Sequence, residues 1–151
     1  MQNNTTIEVL NDLIEINNDR IAGYQKAIEE SKPADTDLEV FFLSMISQSH
    51  QIKNALATEV QTLGGAAANG TTVKGNIYRA WMDVKAVFTG HDRKTVLSNC
   101  QAGEDAAQKA YQSALEQDGI PAYIRAMLAE QKDRLKGSQD EIKTLRGPVY
   151  R

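Results

Sequence analysis

The stretch CQAGEDAAQKAY, Cys100 to Tyr111, carries an acid where a helix should be apolar. At helical spacing Leu97, Cys100, Glu104, Ala107, Tyr111 and Ala114 form one stripe, and Glu104 is its one charged member. A carboxylate on a buried face can ligate a metal, act as a catalytic acid or sit in a hydrogen-bonded polar layer. Burying it without partners costs several kcal/mol, so it must be paired or protonated. Other polar residues fall at a similar depth on other helical stripes: Asn17, Ser49, Gln131 and Ser138. Together with Glu104 they form a candidate polar core layer. Asn17, Gln131, Tyr24 and Tyr111 are the expected donors to Glu104, all of them neutral. On that expectation Glu104→Gln perturbs stability modestly.

The metal reading makes a stricter demand. A di-metal centre inside a helical bundle takes a Glu from each of two helices and a Glu-x-x-His from each of the others. No Glu-x-x-His occurs in this chain. Ala107 stands three residues beyond Glu104, Ile52 beyond Ser49 and Arg134 beyond Gln131. His50 lies one residue off its stripe, turned by roughly 100°, and His91 lies in a predicted turn. Glu104 is thus a weak candidate for a metal ligand, and no cofactor is expected. Iron or manganese is the ion that the metal-binding alternative would hold. Cys100 is predicted to be core, where a thiol is inert. No spacing of Ser, His and Asp suggests a catalytic triad, and TGHDRKT lacks the Gly-Lys-Ser/Thr ending of a phosphate loop.

The elements that position these residues read as four long helices. The first runs from about Thr6 to Glu30, with Ile7, Leu10, Ile14, Asn17, Ile21, Tyr24 and Ile28 on its seam and Thr5 or Thr6 as cap. The second runs from about Asp35 to Leu63, with Phe42, Met45, Ser49, Ile52, Leu56 and Leu63 on its seam, widened by Phe41 and Val60, and ends in GGAAANGTT. A third runs from about Asp92 to Gln117, and a fourth from Pro121, set to begin it, to Arg146. Between the second and third, about 28 residues hold a shorter amphipathic helix, about Val73 to Phe88. Its Ile77, Trp81, Val84 and Phe88 share a face expected to pack on the bundle. The two short connections make antiparallel pairs, and the long one runs the length of the bundle and leaves the middle helices parallel.

Length and composition suit a single all-α domain: 151 residues, 41% hydrophobic, 25% charged and 6% aromatic. A net charge of −3 gives no footprint for nucleic acid or an anionic membrane. No apolar run reaches the length of a membrane span. The start, MQNNTTIEVL, does not read as a secretory signal, and one cysteine forms no internal disulfide, so a cytoplasmic location is expected.

Several stretches resemble a known family. LNDLIEINNDRIAGY is similar to its first helix, with Gly23 and Tyr24 as the Gly-aromatic pair. EVQTLGG resembles the end of its second helix. RAWMDVKAVFTGHD and CQAGEDAAQKAYQSAL resemble its two most specific motifs. The family is the bacterial ferritin-like one catalogued as Domain of Unknown Function 2383, and the resemblance extends from about Ile7 to Leu145. It implies a ferritin-like four-helix bundle with a long crossover and no assigned activity. Members often carry a second carboxylate late in the first helix and a His on the fourth. Here those places hold Ile21 or Ala22, and Gln139. Trp81, Met82, Asp83 and Lys85 match a motif to which the family assigns no role.

The expected function is therefore a non-enzymatic ferritin-like bundle, stress-related or an interaction module, with a polar core in place of a di-metal site. One alternative is a metal-binding oxidoreductase or storage protein centred on Glu104. Another is a scaffold that binds a protein partner through the Trp81 helix. Neither nucleic acid nor membrane is expected as a partner, whereas a homo-oligomer or an unidentified protein partner is.

Overall fold

The computed structural model describes residues 2–31, 35–69 and 93–147. These form four α-helices: α1 (Gln2–Glu30), α2 (Thr36–Thr62), α3 (Arg93–Leu115) and α4 (Ala122–Arg146). The residues of the predicted crossover helix, among them Ile77, Trp81, Val84 and Phe88, lie outside the described residues. So do His91 and Asp92.

Side-chain pairings set the directions. Asn18 meets Lys53 and Arg20 meets Ser49, so α1 and α2 run antiparallel. Asn17 meets Tyr111 and Arg20 meets Glu104, which sets α3 antiparallel to α1. Gln131 meets Tyr111, and Ser138 meets Gln48, so α4 is antiparallel to both α3 and α2. The order around the bundle is α1, α2, α4, α3, with α2 and α3 parallel across the diagonal. Arg93, the first residue of α3, pairs with Asp35 and Asp37 at the start of α2, which places both N-termini at one end. The long connection therefore joins opposite ends of the bundle.

The helix ends follow local chemistry. At the end of α2, Gly64 takes φ +90°, and Gly65 N–H reaches Val60 O at 2.9 Å while Gly64 N–H reaches Gln61 O at 3.0 Å. This is a Schellman closure, which needs a residue free of Cβ strain at that φ. A Cβ on Gly65 would come within 2.9 Å of Ile7 Cγ2, so the chain also crosses α1 closely there. Arg125 donates to the carbonyls of Leu115 and Gln117 and so covers the C-terminal end of α3.

Two expected starts are corrected. Helix α1 begins at Gln2, so Thr5 and Thr6 lie inside it and do not cap it. No Pro or Gly interrupts the first residues, and Thr6 is buried, so packing extends the helix beyond the predicted cap. Pro121 precedes α4 as its N-cap instead of opening it, because its ψ of 148° is extended.

The apolar core has two parts. One gathers Leu10, Leu13 and Ile14 with Ile52, Leu56, Tyr111, Ile124 and Leu128. The other, toward the opposite end, gathers Tyr24, Leu38, Phe42, Leu97, Cys100 and Ile142. A layer of buried polar side chains separates them.

The buried ion pair at the candidate site

Glu104 is fully buried on α3, in the register that also buries Leu97, Cys100, Ala107 and Tyr111. Its partner is Arg20 of α1, which is also fully buried. Arg20 Nη2 donates to Glu104 Oε2 at 2.8 Å, and Arg20 Nε lies 3.3 Å from the same oxygen. Tyr24, one helical turn after Arg20, donates its hydroxyl to that oxygen as well. The guanidinium is held on its other side by α2. Nη1 donates to Ser49 Oγ at 2.8 Å, Nη2 to Gln48 Oε1 at 3.1 Å, and Met45 Sδ lies 3.8 Å away. Ser49 in turn donates to Met45 O at 2.9 Å, and Ser138 of α4 donates to Gln48 Oε1 at 3.2 Å. One cation thus ties α1 directly to α2 and α3, and through Gln48 to α4.

Burial, the largest influence on Arg20, works against its charge. Glu104 beside it, together with Tyr24 and Tyr111, outweighs that effect, and Arg20 titrates above its ordinary value. Burial raises the Tyr24 hydroxyl well above its ordinary value, and the negative Glu104 adds to the rise, so the phenol remains a donor. The Cys100 thiol is likewise pushed up by burial and then by Glu104. It is held as a thiol, a form poor in nucleophilicity.

The candidate polar residues divide into two groups. Ser49 and Ser138 join the Arg20 network with Glu104. Asn17 and Gln131 are buried too, but they bond to Tyr111: Asn17 Nδ2 donates to the Tyr111 hydroxyl at 3.2 Å, which donates to Gln131 Oε1 at 2.8 Å. The expectation of neutral donors around Glu104 is therefore corrected. Tyr24 donates, whereas Asn17 and Gln131 do not, and the main partner is a cation. The reason is energetic. A buried carboxylate is offset better by a guanidinium with two N–H groups in reach than by amides one turn away. Arg20 lies three residues beyond Asn17 and four before Tyr24, on the same face of α1, and that register was the available signal.

A second cluster lies at the α3–α4 contact. Asp105 Oδ1 accepts from Gln139 Nε2, and from Gln101 Nε2 at 3.2 Å. His50 is exposed on α2.

The donor set does not fit a di-metal centre. Among the described residues no group of three or more His, Cys, Asp and Glu side chains is placed to hold a metal ion. Glu104 Oε2 already receives a guanidinium and a phenol. Glu104 Oε1 is buried without a hydrogen-bond partner among the described residues, which leaves one oxygen where two cations would need several.

An all-α four-helix bundle with a charged pair at its centre is the class these features define. The chain belongs to the family described as Domain of unknown function (DUF2383), whose model matches residues 5–117. The match spans α1 to α3, including Arg20, Tyr24 and Glu104, and ends ahead of α4. No curated protein matches the chain. Among the described residues no helix is long and apolar enough to cross a membrane.

Proposed function

We propose that this chain is a non-enzymatic, ferritin-like bundle, stress-related or an interaction module, in which an internal cation replaces metal. The observation that carries the reading is the 2.8 Å pair between Arg20 and Glu104, both with no exposed side-chain surface. A guanidinium there supplies the positive charge that a metal ion would otherwise bring to the carboxylate. It is fixed covalently to α1 and needs no loading. The four directions of the helices and the long connection between parallel α2 and α3 support the ferritin-like arrangement. The location that goes with this reading is cytoplasmic.

Elemental analysis of protein purified without chelators tests it, together with thermal unfolding of the parent and Glu104→Gln with and without iron, manganese or zinc. The expected result is no stoichiometric metal and no metal-dependent shift in either protein. A stoichiometric metal that stabilises the parent but not Glu104→Gln overturns the reading in favour of a metal-binding oxidoreductase or storage protein.

A further inference from the structure

The connection from α2 to α3 can pass the bundle on either of two sides, over α1 or over α4, because each of these lies between α2 and α3. The first residues after α2 take the α1 side. Asn11 of α1 grips them at two points: its Nδ2 donates to Ala66 O at 3.0 Å, and Ala68 N–H donates to its Oδ1 at 2.8 Å. Further along α1, Asp19 is only 1% exposed. Its neighbours fix the orientation of the helix there. Asn17 faces α3 through Tyr111, and Asn18 faces α2 through Lys53. Asp19 is turned about 100° beyond Asn18 and about 160° from Asn17. Neither α2 nor α3 lies on that side, and α4 is across the diagonal. A charged side chain there should be solvated, yet this one is covered. The adjoining face of α3 is similar. Gln108 turns to α4, donating to Lys132 O at 3.0 Å, whereas Ala106, about 160° away round the helix, is 7% exposed. On the same side Gly103 is buried, and Asn99 Nδ2 is buried with no hydrogen-bond partner among the described residues.

We propose that the furrow between the outer faces of α1 and α3 is the docking site of residues 70–92, which cover Asp19 and Ala106 with the face that carries Ile77, Trp81, Val84 and Phe88. The route and the length agree. Asn11 starts the connection across α1, and Arg93, held by Asp35 and Asp37, ends it at the opposite end of the bundle. Residues 70–92 are as many as α3 contains, 23, and at helical rise they span about 35 Å, the length of that helix. The chemistry agrees too. Gly23, Gly103 and Ala106 are small, which leaves room for side chains as large as Trp81 and Phe88. A covered carboxylate such as Asp19 calls for a cation, and the segment brings Lys74, Arg79 and Lys85. Its carbonyls offer acceptors to Asn99. In this seat the Trp81 face is used within its own chain, so a protein partner reaches it only by displacing the segment. This inference is independent of what the buried ion pair does.

Fluorescence of the full chain tests it, because Trp81 is the sole tryptophan. A short-range nitroxide quencher is attached at Ala102→Cys, an exposed position one turn before Ala106 on α3, or at Gly137→Cys, an exposed position on α4 where a side chain meets nothing within 4 Å. The native Cys100 is buried and stays unlabelled in the folded protein. Circular dichroism establishes that each labelled protein is folded. The label at position 102 should quench Trp81, and the label at position 137 should leave its emission unchanged. In a second arm, Ala106→Arg places a long charged side chain in the furrow. The folded variant should show Trp81 emission shifted to the red and more open to acrylamide than in the parent. The proposal is overturned if the label at position 102 fails to quench, if the label at position 137 quenches as strongly, or if folded Ala106→Arg keeps the parent emission.

Discussion

Replacing Arg20 by methionine keeps much of the side-chain volume and removes the charge. Glu104 would lose the 2.8 and 3.3 Å donors and keep the Tyr24 hydroxyl. Ser49 and Gln48 would suffer less, since Ser49 still donates to Met45 O and Gln48 still accepts from Ser138. The cost is therefore concentrated on one stranded buried carboxylate, for which about 3–5 kcal/mol is expected. In a chain of this size that lowers the melting temperature by roughly 6–20 °C. Glu104→Gln strands the guanidinium in turn, so its cost should be about 3 kcal/mol and not the modest loss expected from neutral partners. The double variant leaves neither charge behind. It should fall short of the sum of the single losses by at least about 1 kcal/mol, as residues in direct contact do. Urea unfolding of the four proteins, with slopes compared, supplies the cycle. Additive losses, or an Arg20→Met loss under about 1 kcal/mol, would refute the reasoning.

Tyr24→Phe keeps the ring against Phe41 and Phe42 and removes the hydroxyl, so it should cost about 2 kcal/mol in the same unfolding assay, the range for a hydrogen bond to a charged group. Arg125→Ala uncovers the carbonyls of Leu115 and Gln117 and should cost about 1 kcal/mol, with faster amide exchange at the last turn of α3. Burial raises Tyr24, Tyr111 and Cys100 in the fold. Their contribution is complete below the unfolded values of roughly 8.5 for Cys and 10 for Tyr, and is lost as pH rises through the folded values. Thermal melts across that alkaline range should show falling stability, less steeply in Tyr24→Phe, where one of the three groups is gone.

Much of this bundle is written in local periodicity. The α3 stripe through Glu104 is buried from Leu97 to Ala114, and on α4 Ile124, Leu128, Gln131, Leu135, Ser138 and Ile142 share one buried face, with Leu145 at its end half-buried. Three-and-four spacing reports such faces because side chains one turn apart share a side of the helix. The parallel course of α2 and α3 followed from connection lengths alone. The start of α1 did not, because Thr5 and Thr6 have the chemistry of a cap but sit where packing prolongs the helix. Arg20 was the larger omission. A lone Arg among polar neighbours reads as solvent-facing, since long charged side chains are seldom fully buried unless paired. Its pairing with Glu104 spans 84 positions in sequence, and no local pattern encodes such a contact. What the sequence did hold was a question on each side: an acid on an apolar stripe of α3, and a base in register with Asn17 and Tyr24 on α1.

A crystal structure of the full chain grown with manganese, with an anomalous difference map, would place both the guanidinium and any cation. The expected result is Arg20 density within hydrogen-bonding distance of Glu104 Oε2, near 2.8 Å, and no anomalous peak at the carboxylate. A peak about 2.1 Å from a Glu104 oxygen, a distance suited to a bound divalent ion, with Arg20 turned away, would contradict the assignment of Arg20 as the cation of this core.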